Sequence, residues 1–504
     1  MCLPLSLSGF LAKRMIRVKD NNRISKPIVR IATAGVAVGM ILMILALSIV
    51  KGFQQEVRNK VIGFGGHFQV VSNGDNAANE SVPLVYDQKI ISSLEKIPGV
   101  KKVSVFGQKP AIAETKKGIA GVVAKGITAQ YDTTYLHQIL TQGRLPNMQL
   151  PDDTLPKAEI ILSEFLANRL ALQVGEKMAL YIVNGEDDIQ QQTFTLSGIY
   201  KTDLEDYDEK FVFCHLAFLQ QYSGWGVQGQ IVIDTVSVPG IPIVQAVAFG
   251  NKNEFNLRWL NGESAKDPFL LTQGKDTTLT LITSATNMLS DTTQAHVVWE
   301  NNRPKWTYSN LRGSEKNYIG GYEIQVDDYE KLTLLIDPIW EALPYDLFLI
   351  PLTDRNPEIF SWLEMLDINV IIIIVLMVVL SIVNMTSALL ILILERQRFI
   401  GILKTLGAAN RMLLKVFLYQ AIWIIGIGLL VGNALGFGIA YVQMKTGWVT
   451  LDPANYYVSK VPIQLDFELI GIINLITIGI CALVMILPSL YVSTIQPATA
   501  IKKD

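Results

Sequence analysis

The residues whose types could do chemistry are few and scattered. His67, His137, His215 and His296 show no metal-ligand spacing such as H-E-x-x-H, and read as surface or core histidines. Cys2, Cys214 and Cys481 are far apart in the chain. No G-x-x-x-x-G-K-[ST] loop is present to cradle phosphates; "GKDTT" at Gly274 has the wrong preceding residues. One short stretch concentrates function instead: "ERQRFIGILKTLGAANRML", residues 395–413. Arg396, Arg398, Lys404 and Arg411 stand there, with Lys415 just beyond, against Glu395, about +4 in all. Phe399, Ile402, Leu403 and Leu406 follow i, i+3, i+4, i+7, one apolar stripe of a short helix. Gly407 sits where a helix end takes a left-handed residue, and Asn410 is placed to cap the next helix. Such a segment breaks no bonds. Its chemistry is recognition: a basic amphipathic helix docked on the membrane surface, either as a contact for a cytoplasmic protein or as a snorkelling basic anchor.

The elements around it explain why it must be a loop. Uncharged stretches run over residues 31–50, 368–394, 416–442 and 469–495. Each has the roughly 20 residues or more that a helix needs to cross about 30 Å of hydrocarbon. The spans divide the 504-residue chain into a cytoplasmic interfacial helix (1–27), a first span (28–52), an external domain (53–366), a second span (367–394), the loop (395–411), a third span (412–442), an external loop (443–467), a fourth span (468–495) and a tail (496–504). At about 27 uncharged residues, the second span exceeds what a bilayer core requires at about 1.5 Å per residue. It could project as a stalk, although tilt would absorb the same excess.

Basic residues set the orientation. The N-terminal segment carries about +6, the loop between the second and third spans about +4 when counted through Lys415, and the tail about +1. Those segments face the cytoplasm. With a formal charge of −2 for the whole chain, about −13 is left outside, which argues against nucleic-acid binding by the large domain. Leu7, Phe10, Leu11, Met15 and Val18 share one side of an N-terminal helix; a disordered basic tail is the alternative. The first long apolar run begins past residue 30, so no cleaved signal peptide is read, and Cys2 lies too early for acylation after one. Cys214 alone falls in the external domain and has no disulfide partner there.

That domain reads as α+β. Strands are expected at 67–71, 103–106, 121–127, 158–163, 176–183, 192–200 and 321–326, with helices at 87–97, near 164–170, near 217–222 and through Leu332, Ile336, Ile339 and Leu343. Residues 224–314 differ, being rich in Thr, Asn, Gly, Trp and Val without helical period. They read as an all-β insertion, a long ordered loop being the alternative. The fold class is therefore a membrane α-helical chain, four transmembrane helices arranged 1+3, with a large α+β extracytoplasmic domain carrying a β-rich insertion. Gly35 and Gly39, and Gly428, Gly432 and Gly436, form small-residue stripes for helix packing. Asn384, Asn433 and Asn474 need partners in lipid, from packing or from substrate.

"ERQRFIGILKTLGA" resembles the coupling-helix signature of the MacB/FtsX-like (type VII) superfamily of ABC transporter permeases. "GVAVGMILMILALSIVKGFQQEVRNKVIGFGGHFQV" (35–70), "IPGVKKVSVF", "LTQGRLPN", "ILSEFLANRLALQVGEKMAL" and "FTLSGIY" are similar to successive pieces of its lipoprotein-releasing branch, the LolC/LolE family. The resemblance implies a non-catalytic permease of the bacterial inner membrane, its large domain in the periplasm. It implies two permeases, copies or paralogues, on a dimeric LolD-like ATPase that binds ATP and Mg, with no cofactor on this chain. ATP-driven closure would move helices and periplasmic domains together, lifting a lipoprotein from the membrane to a periplasmic carrier. Glu395, Arg396, Arg398, Gly401, Lys404, Gly407 and Ala408 match the coupling motif, whereas Phe399 stands where the family has an acid. Met40, Met43, Leu47, Ile371 and Ile374 match the region of lipid contact. Residues 181–194, expected as a simple hairpin turning at Asn184-Gly185, are shorter than the family's carrier-capturing hairpin. An FtsX-like transducer activating a cell-wall hydrolase, and an exporter of small molecules or peptides, are the other readings.

Overall fold

The computed structural model describes residues 25–73, 80–149, 155–184, 189–234, 242–250, 255–272, 275–286, 288–300, 303–309 and 312–486. Most of the expected interfacial helix, Cys2, Gly185, Gly274, the end of the fourth span and the tail lie outside these residues. The chain divides into two compact units. One holds the residues up to Val57, Glu358–Asp452 and those from Val458 onward; the other holds Arg58–Pro357 and Pro453–Tyr457.

The first unit is helical. Helices Ser25–Gly65, Pro357–Glu395, Asn410–Thr446 and Phe467–Val484 are each long and apolar enough to cross a bilayer. The first two differ from their expected bounds. The first span, expected to end at 52, continues as a helix of 41 residues to Gly65. That is about 60 Å, twice a hydrocarbon core. Lys51, Glu56, Arg58 and Lys60 end the uncharged run without ending the helix, because Phe53, Val57, Val61 and Phe64 continue a buried stripe at helical spacing. The second helix, 39 residues, opens at Pro357 rather than at 367, proline being well suited to a first turn. The two helices pair beyond their uncharged parts: the Phe53 and Trp362 rings meet edge-on at 5.2 Å, and Gln54 Nε2 donates to the Leu363 carbonyl at 3.0 Å.

The small residues pack helices, as their spacing suggests. A Cβ at Gly428, Gly432 or Gly436 would meet Val36, Met40 and Ile44 of the first helix at 2.9, 2.8 and 3.0 Å. A Cβ at Gly35 would meet Asn384 Nδ2 at 2.9 Å. Asn433 and Asn474 bond each other, at 2.8 and 3.2 Å, so two amides that would be costly in lipid satisfy one another.

The second unit is a mixed sheet flanked by short helices. Its central strand Val100–Glu114 is longer than the four residues expected, because it pairs with Gly321–Val326 along its first half, with Ile119–Ile127 along its second, and with Lys177–Val183 near its end. Pairs of Ile119–Ile127 with Phe211–His215, and of Glu159–Ser163 with Ile189–Tyr200, are parallel; the other pairs in this sheet are antiparallel. Apolar residues cover both faces. One core gathers Phe68, Leu162, Leu196, Phe218 and Tyr322, the other Phe64, Ile127, Tyr200 and Phe213. His67 and His215 serve the backbone here: their Nδ1 atoms accept from Val326 N–H at 3.1 Å and Ala217 N–H at 3.0 Å. The hairpin turn differs from its expectation. Val183 pairs with Ile189, a register that does not place a two-residue turn at Asn184-Gly185, and Gly185 itself lies outside the described residues.

Residues 227–309 form the β-rich insertion. Val227–Asp234, Ile243–Gly250 and Phe269–Leu270 make one sheet; Asn256–Trp259, Thr277–Ser284, Asp291–Glu300 and Arg303–Ser309 make another. They share a separate core with Ile231, Val244, Trp259, Leu281 and Val297. Val227 and Ser314 bond one another where the insertion begins and ends, Val227 N–H donating to Ser314 Oγ at 3.0 Å.

Candidate functional site: the loop between the second and third spans

Helix Gln397–Thr405 follows the second long helix after a single break at Arg396, its N-cap residue. Gly407 then turns with φ +89°. Its N–H donates to the Lys404 carbonyl at 3.1 Å, and Ala408 N–H donates to the Leu403 carbonyl at 3.0 Å. This pair of bonds is a Schellman turn, which satisfies carbonyls that the helix end would otherwise leave open. Nothing lies within 4 Å of where a Gly407 side chain would begin. Glycine is therefore needed for its backbone alone. Asn410 is not the cap. Ala409 takes the extended conformation before the third long helix, without a side-chain bond, and Asn410 is already helical.

The buried face differs from the expected stripe. Ile400 is wholly buried and Gly401 buried, while Leu403 and Ala408 are half-buried against the core formed by Ile393, Ile400, Leu413 and Phe417. Phe399, Ile402 and Leu406 are exposed, at 37%, 50% and 78%. The spacing i, i+3, i+4, i+7 admitted two overlapping faces. Ile400 takes the inner one, where it shares a core with Ile393 and Leu413, and Gly401 is buried beside it. The outward face therefore combines Phe399, Ile402 and Leu406 with exposed Arg398. Glu395, Arg396 and Lys404 are half-buried, and partial burial pushes the Lys404 ammonium below its ordinary value.

The five residues matched to a lipid region do not share a surface. Met40 and Met43 are wholly buried, and Leu47 nearly so, in the core of the helical unit. Ile374 is half-buried against that core, whereas Ile371 is 60% exposed. The glycines of the third helix explain this, since the slot at Gly432 admits Met40.

Two family models match the chain: the FtsX-like permease C-terminal over residues 371–497, and the MacB-like periplasmic core domain over residues 31–240. The transmembrane protein LolC of the lipoprotein-releasing system of Neisseria meningitidis is 22% identical over 99% of this chain and 100% of its own length. The chain belongs to the MacB/FtsX-like permeases, in the LolC/LolE family. The corresponding LolE of Haemophilus influenzae is 24% identical over 36% of this permease and 43% of its own length. The periplasmic region of MacB from Actinobacillus actinomycetemcomitans covers 60% of this permease and 97% of itself, at 11% identity and a TM-score of 0.27. The matched C-terminal region contains the loop helix, its glycine turn and the exposed apolar face. Most of the β-rich insertion, past residue 240, lies outside both matched regions.

Proposed function

We propose that this multi-pass chain is the permease subunit of an ABC transporter that extracts lipoproteins from the bacterial inner membrane, driven by ATP hydrolysis on a separate cytoplasmic ATPase. The observation that carries the reading is end-to-end likeness to a protein named for lipoprotein release. The family model over the membrane segment supports a permease role. In this reading a dimeric ATPase, binding ATP and Mg, docks on the loop helix between the second and third spans. A second permease, copy or paralogue, completes the complex, and a carrier in the periplasm receives the cargo. Exposed Phe399, Ile402 and Leu406 supply the apolar part of the docking face, with Arg398 beside them. Phe399 replaces an acid of the family pattern, so the contact there is apolar. The first two long helices, each exceeding a bilayer core, carry the motion outward.

Reconstitution tests this. The complex purified with its ATPase, in proteoliposomes holding a triacylated lipoprotein, should release cargo to the aqueous phase only with ATP. ATP hydrolysis without release, accompanied by stimulation of a cell-wall hydrolase, would replace the reading with a transducer. Ile402→Asp should leave the permease folded but separate it from the ATPase on co-purification; retained ATPase would remove the loop helix from the interface.

A further inference from the structure

The first long helix ends inside the outer unit in a way its sequence does not announce. A helix terminus leaves carbonyls without partners and carries partial negative charge. Here the Phe64 carbonyl, one residue before that end, accepts a hydrogen bond from the ammonium of Lys125, a fully buried residue of strand Ile119–Ile127. Lys125 Nζ also lies 2.7 Å from Glu323 Oε1, on strand Gly321–Val326. Tyr131 donates to Glu323 Oε2 at 2.9 Å, and Gln69 Nε2 to Oε1 at 2.8 Å. Glu323 is 2% exposed. Around the same helix end, the Phe64 ring packs against Tyr207, Phe213 and Tyr135, and a Cβ at Gly63 would collide with the Tyr135 ring.

The segment leading into the second long helix is tied to the same place. Leu352 N–H donates to the His67 carbonyl at 3.0 Å, three residues beyond Phe64. Tyr207, which touches Phe64, donates to Asn356 Oδ1 at 3.0 Å, immediately before Pro357.

A buried ion pair is weak evidence for stability, since apolar residues of like volume do as well. What this one supplies is direction. If the helix end turned or slid by one residue, about 100° and 1.5 Å, the Phe64 carbonyl would leave the ammonium. Aromatic packing alone tolerates such slippage better than a bond to a fixed charge does.

We infer that Lys125 and Glu323 form a clasp holding the outer end of the first long helix to the sheet, so that displacement of the helix is delivered to the domain instead of being lost as slippage. Lys125 is a positioning residue, acting through the helix end. The mechanical role rests on the transport reading; the clasp itself does not.

The test uses the full chain with its co-purified ATPase in nanodiscs. Lys125→Met should raise amide exchange at residues 58–66 at least tenfold, with strands 277–300 unchanged. It should also raise the ATP hydrolysed per lipoprotein released severalfold at unchanged basal hydrolysis. Lys125→Arg should restore most of both. If Lys125→Met does not fold, the double substitution Lys125→Met with Glu323→Met removes both charges and should show the same two changes. Unchanged exchange at the helix end would overturn the clasp; faster exchange at unchanged ATP cost would overturn its role in delivering helix displacement to the domain. Failure of the unmodified complex to release lipoprotein would sink the transport reading alone. The clasp would then be decided by ATP-dependent exchange at residues 321–326, expected in the unmodified chain and absent from the variant.

Discussion

Substitution at Gly407 isolates one backbone conformation. The residue stands at φ +89° with no atom within 4 Å of a prospective Cβ. A side chain there meets no clash, so its whole effect is the left-handed backbone. Holding a non-glycine residue in that region costs about 1–3 kcal/mol, alanine near the bottom of the range and β-branched valine near the top. Asparagine, which visits the region readily, should cost less than alanine. At about 1.4 kcal/mol per factor of ten, valine should open the Schellman turn by up to about a hundredfold. Amide exchange at residues 407 and 408, which make the two turn bonds, reads that opening directly in the order Gly, Asn, Ala, Val. Substrate-stimulated ATP hydrolysis by the complex should fall in the same order. Refutation would be a flat series, or one ranked by side-chain size with asparagine worse than alanine, since either removes the backbone as cause.

Three further outcomes are expected. Burial and nearby Lys101 hold the His67 imidazole down at about 4. Its folded value lies below the unfolded 6.5, so its contribution is present above that value and is lost as pH falls toward 4. His67→Asn, which keeps an acceptor for Val326 N–H, should shrink the loss between pH 7 and 5 by about 2 kcal/mol; parallel denaturant profiles of the two full-length proteins in detergent would contradict this. Asn433→Leu orphans half of an amide pair and should cost about 1 kcal/mol, whereas changing Asn474 to Leu as well should recover most of it, measured by thermal unfolding in detergent. Burial pushes the Cys214 thiol up to about 12, so maleimide should label it only after unfolding; rapid labelling of the folded chain would show an opening absent from this structure.

The spans were legible because length and lack of charge are what a bilayer demands. Their extensions were not, because Glu56, Arg58 and Lys60 read as an exit from lipid although the helix continues through them. In the loop, Gly407 announced its turn because few residues tolerate that φ. The buried face was ambiguous, and only packing against Ile393 and Leu413 resolved it. Met40 and Met43 could not be assigned from position, since any residue of a span is apolar. Lys125 was missed altogether, though a signal existed: it falls in phase with Val123 and Ile127, which line the inner face of their strand. A lysine in such phase must find a partner, but nothing in the sequence pointed to a carboxylate nearly two hundred residues away.

The β-rich insertion enters and leaves its host side by side, at Val227 and Ser314. A cassette attached in this way can be deleted and the gap closed with a few residues, without moving any strand of the main sheet. It can equally be exchanged for another, so that relatives could acquire new periplasmic specificities by grafting at this junction while the machinery beneath stays as it is.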